Sequence, residues 1–307
     1  DDLSDGFSYI PEGPFTMGRT SGDTDSDAPP TLVKVSGFEM QTIETTKAQW
    51  DEVRAWAVNN GYNDLAVGVG KAANHPVQMI NWWDTIKWCN ARSEKEALTP
   101  AYTSSGTVLR NGTMAVTVNW VSNGYRLPSE AEWEKAARGG VAGKRFPWKT
   151  DTISFVRSNY YSNSSLFIYD LNGFTVNTYH PTYSTGGVAF TSPVKSFPSN
   201  DYGLFDVSGN VWEWCWELYQ SDYYTAGAVN PRGSNLGVDR IMRGGAWDHL
   251  AGDTRCSKRY AFGSDIRDDG FGFRPVCVFK NASSNGFQSN LTIIDTRYDQ
   301  SLSFSAV

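Results

Sequence analysis

Cysteine and histidine are scarce in this chain. The 307 residues include four cysteines, none of them in a CxxC pair, and three histidines. Four scattered cysteines are too few for a disulfide scaffold, and their spacing excludes a zinc ribbon. Because each cysteine has apolar or aromatic neighbours, we expect buried free thiols. His75 and His180 precede prolines and are interpreted as turn residues. With His249 they are too far apart in sequence to suggest a three-ligand iron site.

Positive charge and long apolar runs are also lacking. Lysine and arginine number 27 against 33 aspartates and glutamates, which gives a net charge of −6 and a pI near 5.2. A chain with this charge and no Lys/Arg cluster is unsuited to binding nucleic acid phosphates. No run of 18 apolar residues occurs and mean hydropathy is −0.44, so we expect no transmembrane segment.

Aromatic residues and glycine are abundant, with 12 Trp, 15 Tyr, 16 Phe and 29 Gly. Their mixture in short segments favours tight turns packed on aromatic side chains over long regular elements. Caps and apolar spacing predict helices over 45–61, 81–97 and 129–139, the last beginning with a capping box of Ser129 and Glu132. Short strands are predicted over 7–10, 32–37, 115–120, 241–243 and 273–279.

The sequence pattern indicates one domain followed by a tail. No internal repeat and no Pro- or Ser-rich linker divides it. We therefore predict one mixed α+β domain over 1–280, with a small amount of sheet, few helices and much structured loop. The Ser- and Asn-rich tail over 281–307 is expected to be an appended strand, a loosely held arm or a non-native remnant.

The most informative part of the chain is segment 243–274. It opens with Arg-Gly-Gly-Ala-Trp and closes with Gly-Phe-Arg, residue types that hold fixed turns or pack in cores. Its interior, 248–271, is called the display segment below. That interior has no hydrophobic period, and a rigid frame around such a sequence is typical of a displayed surface. Guanidinium groups can fix loop carbonyls and carboxylates in place. The predicted scaffold consists of Arg243, Trp247, Arg255, Arg259 and Arg274.

Further motifs occur in a fixed order before this segment. They are Ile-Pro-Glu-Gly at 10–13, Glu-Thr-Thr at 44–46, His-Pro-Val at 75–77, Gly-Tyr-Arg-Leu-Pro-Ser-Glu-Ala-Glu-Trp-Glu at 124–134, Tyr-Gly-Leu-Phe-Asp at 202–206 and Gly-Asn-Val-Trp-Glu-Trp at 209–214. Together with segment 243–274, they resemble the formylglycine-generating-enzyme (sulfatase-modifying factor) family over roughly residues 7–279. The resemblance implies a C-type-lectin-like fold with small antiparallel sheets.

The resemblance implies one activity that the residues disfavour. Enzymes of this family look like copper-dependent oxidases whose metal is held by two cysteines after the Gly-Gly-[Ser/Ala]-[Trp/Tyr] motif. In this chain residues 248–254 contain no cysteine, and Cys256 corresponds to a core position of the family. A soft-metal thiolate site requires its thiolates. A copper oxidase, or a related sulfatase-modifying enzyme, is therefore the disfavoured alternative.

The favoured alternative is a non-enzymatic branch of the same fold, the variable proteins of diversity-generating retroelements. These proteins use the equivalent segment as a hypervariable binding face, whose randomised codons cannot encode Glu, Gln, Lys, Trp or Met. The display segment contains none of these except Lys258. We predict a non-enzymatic protein that binds a protein or carbohydrate ligand on another cell or surface. An ordinary acidic surface loop in another non-catalytic family member is the third interpretation.

Within the predicted face, Tyr260, Phe262 and Phe271 are the expected anchors, because aromatic side chains bring large contact area at low entropic cost. Replacing Tyr260 and Phe262 with alanine is expected to leave thermal stability nearly unchanged. The acidic residues favour a basic ligand patch. The full predicted face consists of Asp248, His249, Leu250, Gly252, Asp253, Tyr260, Ala261, Phe262, Gly263, Ser264, Asp265, Ile266, Asp268, Asp269, Gly270 and Phe271.

The resemblance also implies structural calcium. Ca²⁺ takes six to eight oxygen ligands from carboxylates and carbonyls. The corresponding oxygens here belong to Asp206, Val207, Gly209, Val211 and Glu213. In the alternative, Glu213 accepts backbone N–H groups and no ion is needed. A second calcium site of the family lacks its acidic ligand near 186–188. We expect no required cofactor, and a monomer that is secreted or held at the cell surface.

Overall fold

The computed structural model describes residues 6–234 and 236–278. Within these ranges the α-helices are α1 Lys47–Ala57, α2 Trp82–Lys95 and α3 Glu130–Ala137, and a short 3-10 helix covers Pro181–Tyr183. The strands are β1 Phe7–Ile10, β2 Gly13–Met17, β3 Thr31–Val35, β4 Phe38–Gln41, β5 Tyr102–Ser104, β6 Thr107–Val108, β7 Thr117–Val118, β8 Ser184–Thr185, β9 Val188–Ala189, β10 Trp212–Leu218, β11 Asp239–Arg243, β12 Tyr260–Gly263, β13 Phe271–Gly272 and β14 Val276–Cys277. The predicted domain boundary at 280 and the tail lie outside the described residues.

Each α-helix begins at a capping box, in which two backbone N–H groups at the N-terminus find side-chain acceptors. Thr46, Asn81 and Ser129 are the N-cap residues of α1, α2 and α3. For α3, Ser129 and Glu132 form the predicted box. The three predicted helices are therefore confirmed, with ends that differ by a few residues.

A four-stranded sheet in the order β12-β11-β10-β13 carries the display segment. Strand β11 pairs antiparallel with β10 and β12, whereas β13 runs parallel to β10. A second sheet, β1-β4-β14, joins the two ends of the described chain. The predicted strand over 273–279 is wrong as a single element. Within the described part of that range only β14 forms a strand, and Pro275 just before it has no N–H to donate to a ladder.

Aromatic side chains form much of the core. Trp50 and Trp88 stack at 6.0 Å, and Phe273 packs edge-on against both rings. Helix α3 lies in a second cluster with β2, β3 and β11. All four cysteines are buried free thiols, as predicted. No helix within the described residues is long and apolar enough to span a membrane.

Candidate functional site

Two glycines open segment 243–274 at the end of β11. Gly244 and Gly245 have φ angles of 97° and 79°, which L-residues with a side chain rarely adopt. A methyl group at Gly245 would lie 2.7 Å from Thr254 Cγ2 and 2.9 Å from its Cα. The backbone of the frame therefore packs directly against the segment that it encloses.

The display segment is not exposed along its whole length. Residues 248–250 and 260–264 are partly exposed and 265–269 are exposed, whereas 254–257 and Arg259 are buried. The chain thus crosses the surface, enters the core and returns to the surface as β12. Two separate stretches carry the exposed side chains, and a buried stretch connects them.

Arg243 holds the buried stretch in place. Its side chain is fully buried and donates to the carbonyl oxygens of Cys256, Ser257 and Lys258 at 2.6, 3.2 and 2.9 Å. It also pairs with Glu134 at 2.5 Å. A planar guanidinium with five donors suits this task, because it can bond several acceptors at fixed angles.

Two further arginines attach the same stretch to the rest of the fold. Arg259 bonds both carboxylate oxygens of Glu130 at 2.7 and 3.0 Å. Burial alone would raise the pKa of Glu130, but Arg259 and Arg243 lower it below its ordinary value. Arg255 donates to the Gly252 carbonyl at 2.7 Å and pairs with Asp25 at 2.7 Å. The buried stretch is therefore fixed at both ends.

Arg274 is the last residue of segment 243–274. It forms an ion pair with Glu213, one of the residues expected to bind calcium. Its Nε and Nη2 lie 2.7 Å from the two carboxylate oxygens of Glu213, and Trp133 Nε1 donates to the same carboxylate at 2.7 Å. Glu213 is fully buried. A Ca²⁺ ion bound to Glu213 would have to displace the buried Arg274 guanidinium or lie next to its positive charge.

Asp206 is the other carboxylate of the implied calcium site. Asp206 Oδ2 accepts from the Lys195 N–H at 2.8 Å, which leaves Asp206 Oδ1 without a partner. Burial, opposed in part by Arg274, raises the pKa of Asp206 to about 6. Ca²⁺ needs several carboxylate and carbonyl oxygens. The carboxylates of Asp206 and Glu213 offer one free oxygen between them, so a calcium ion here would depend largely on the carbonyl groups of Val207, Gly209 and Val211.

Aromatic rings line the exposed part of the display segment. Tyr260 stacks on the buried Trp212 with centroids 5.0 Å apart, and His249 packs edge-on against Trp212 at 5.3 Å. Trp212 Nε1 is buried and without a hydrogen-bond partner. His249 Nδ1 lies 2.8 Å from Asp248 Oδ1. Burial lowers the pKa of His249, but Asp248 outweighs it and the pKa is raised.

Three residues of the predicted face lie beneath the surface. Phe271 is 3% exposed and packs on Trp214 in the core, so it cannot anchor a ligand from the surface. Gly252 and Gly270 are also buried. Phe271 pairs with β10 as part of β13, which explains its position. The other predicted face residues are partly or fully exposed.

The comparisons with known proteins decide the family. The family description "Sulfatase-modifying factor enzyme 1-like domain" matches residues 2–278. The chain belongs to this family. It is 28% identical to the formylglycine-generating enzyme of Mus musculus over 278 residues, which cover 82% of this chain and 67% of that enzyme. It is 32% identical to chaperone protein LppX of Paenibacillus barcinonensis over 253 residues, covering 80% and 79% of the two chains.

Among solved structures, Treponema denticola variable protein 1 is similar, with a TM-score of 0.67 and 25% identity over 88% of this chain and 94% of that one. This likeness confirms the predicted fold, a mixed α+β fold of the formylglycine-generating-enzyme type. The sulfatase-modifying-factor-like family thus includes relatives named as enzymes, and the fold also occurs in a variable protein.

The thiols of this sulfatase-modifying-factor-like chain are poorly placed for metal or redox chemistry at the face. Cys256 is 1% exposed, and burial raises its pKa to about 12. Burial also raises the pKa of Cys215 and Cys89. Among the described residues, no group of three His, Cys, Asp or Glu side chains is arranged to hold a metal ion.

Two tyrosines that the sequence did not single out adjoin the display segment. The Tyr161 N–H donates to the His249 carbonyl at 2.9 Å, and Tyr161 stacks on Tyr179 at 4.3 Å. Both come from a stretch with little regular pattern, far from segment 243–274 in sequence. No local signal marks them, because tertiary packing alone brings them to the face.

Proposed function

We propose that this chain is a non-catalytic binding protein whose display segment recognises a protein or carbohydrate ligand. The observation that carries the proposal is the fixed buried stretch, where Arg243, Arg255 and Arg259 bond backbone carbonyls and carboxylates. A rigid backbone limits the entropy lost on binding, so a few contacts of exposed side chains can provide most of the affinity.

The similarity to Treponema denticola variable protein 1 supports a binding function. The similarity to formylglycine-generating enzymes favours the alternative, a copper-dependent oxidase or related sulfatase-modifying enzyme. Against that alternative, the buried Cys256 is bonded through its backbone to Arg243 and Arg145. A soft metal requires accessible thiolates, and the exposed parts of the display segment carry none.

On this proposal the protein acts as a monomer that is secreted or held at a cell surface. The ligand contacts the two stretches with exposed side chains, 248–250 with Asp253 and 260–269. The buried stretch between them positions the contacts without touching the ligand.

Sequencing the same locus in several isolates tests the proposal without knowledge of the ligand. We expect amino-acid differences to concentrate in 248–250, 253 and 260–269. Residues 254–257 and 259 are expected to stay constant because they are buried and packed or bonded within the fold. Differences spread evenly along the chain, or an invariant display segment, would contradict a diversified binding face.

A further inference from the structure

An aromatic group borders the display segment without belonging to it. Tyr161 and Tyr179 stack with ring centroids 4.3 Å apart, and Trp247 lies 6.0 Å from Tyr179. Ser162 and Thr178 pair through two backbone bonds of 2.8 and 2.9 Å, which hold the two tyrosines side by side. All three rings are partly exposed. We call these three residues the aromatic stack.

Three carboxylates lie beside the aromatic stack. Trp247 Nε1 donates to the Asp269 carbonyl at 3.2 Å. A methyl group at Gly270 would lie 3.2 Å from Asp268 Oδ1 and 3.5 Å from Asp248 Oδ1, so these two carboxylates flank the same glycine. Burial raises the pKa of Asp269, and the charges of Asp268 and Asp248 add to the shift. The three acidic groups therefore share one small surface region.

No lysine or arginine among the described residues forms an ion pair with these three carboxylates. The nearest candidates along the chain are engaged elsewhere, since Arg267 pairs with Asp84 at 2.8 Å, Arg274 with Glu213 at 2.7 Å and Arg243 with Glu134 at 2.5 Å. Within the described part of the chain, the one basic side chain that contacts them is His249, which lies 2.8 Å from Asp248. Negative charge thus remains available beside the ring faces.

We propose that the aromatic stack and the three carboxylates receive a lysine or arginine side chain of a protein partner. The proposal rests on the binding function proposed above and specifies the chemistry of its ligand. A cation gains from the negative ring faces and from the carboxylates at once. A neutral sugar could use the rings, but it would desolvate the carboxylates without neutralising them.

The two halves of this region differ in origin. Tyr161, Tyr179 and Trp247 lie outside the display segment, whereas Asp248, Asp268 and Asp269 lie inside it. If the segment is diversified, the aromatic half is retained and the carboxylates change. The preference for a cation is therefore expected of this display-segment sequence, and not of variants that have lost the carboxylates.

Calorimetric titration with oligo-arginine and oligo-lysine peptides tests the proposal, with an oligoglutamate peptide and chitohexaose as anionic and neutral probes. We expect the cationic peptides to bind and to weaken with added salt. Asp268→Asn combined with Asp269→Asn is expected to raise their Kd by about tenfold, and Tyr179→Leu by several-fold, or on the order of 1 kcal/mol. Tyr179→Phe retains an aromatic face and is expected to bind like the wild type.

Asp201→Asn combined with Asp222→Asn is the matched control, because it removes the same charge from exposed loops elsewhere. An equal loss in this control would mean that net negative charge alone attracts the peptides, and would overturn the proposal. Chitohexaose binding that depends on Tyr179, without binding of cationic peptides, would also overturn it. Neither result changes the outcome of the locus comparison. That comparison therefore tests the binding function independently of the proposed cation preference. Melting curves identify any variant that fails to fold.

Discussion

At the scale of single residues, two buried glutamates on β10 show opposite ways of placing a carboxyl group in the core. Glu213 is held by Arg274 through two bonds of 2.7 Å. Glu217 is 1% exposed, accepts from the Glu130 N–H at 2.7 Å, and has one oxygen without a partner. Burial, followed by repulsion from Glu130, raises the pKa of Glu217 to about 8.

The Glu217→Gln variant is expected to remove a pH dependence of stability. In the wild type the folded pKa lies above the unfolded one, so this group's contribution is complete below about pH 4.5 and is lost as pH rises through about 8. The free energy of unfolding should fall by at most about 1.4 kcal/mol per pH unit across that window. Denaturant titrations at several pH values should show a flatter profile in Glu217→Gln, which keeps the acceptor for Glu130.

Glu213→Gln serves as the comparison. It leaves the buried Arg274 without its anionic partner, so we expect a loss of about 3–5 kcal/mol at every pH tested. Parallel pH profiles for wild type and Glu217→Gln would show that Glu217 is ionised in the folded protein, and would contradict the prediction.

At the scale of elements, β12 both displays side chains and packs on the core. Tyr260 lies against Trp212, and Phe262 lies 4.8 Å from the buried Phe271. The expectation that alanine at both positions leaves stability unchanged is therefore revised. Rings that cover a core cannot be removed without exposing or emptying the space beneath them.

We expect Tyr260→Ala and Phe262→Ala each to lower the free energy of unfolding by about 1–3 kcal/mol, less than for a fully buried ring. Urea titration measures this loss. Ile266→Ala, at a position that is 47% exposed, should change stability by less than about 0.5 kcal/mol. Unchanged unfolding of both aromatic variants would mean that β12 adds little to the core. Tests of ligand contact are better made at Ile266 or Asp265.

The sequence predicted the helices well because their determinants are local. Ser129 and Glu132 are three residues apart, and the capping box needs nothing else. Strand β12 was missed because Tyr-Ala-Phe-Gly has no alternating pattern and forms only by pairing with β11. Phe271 was taken for an exposed anchor because its burial depends on Trp214 and β10, which no local pattern reveals.

At the scale of the whole molecule, thiol accessibility separates the two candidate functions. All four cysteines are buried. Because thiolates are the reactive species, buried thiols with raised pKa values react slowly. The native protein should therefore give no rapid reaction with Ellman's reagent, and the protein unfolded in guanidinium should give four thiols per chain.

A single fast thiol in the native protein, lost on Cys256→Ser, would favour an oxidase. Copper added to the native protein should likewise leave the four thiols unoxidised. Cys89→Ser is the control for a buried thiol on α2, in a different core cluster from Cys256.

The bonds from Arg243 to three successive carbonyl groups have a practical consequence for protein engineering. They divide the display segment into two insertion points, 248–250 and 264–269, with a fixed connector between them. Peptide libraries could therefore be grafted at either point independently. Two libraries built in this way would share one scaffold. Selected members of each could then be combined without redesign of the buried stretch that connects them.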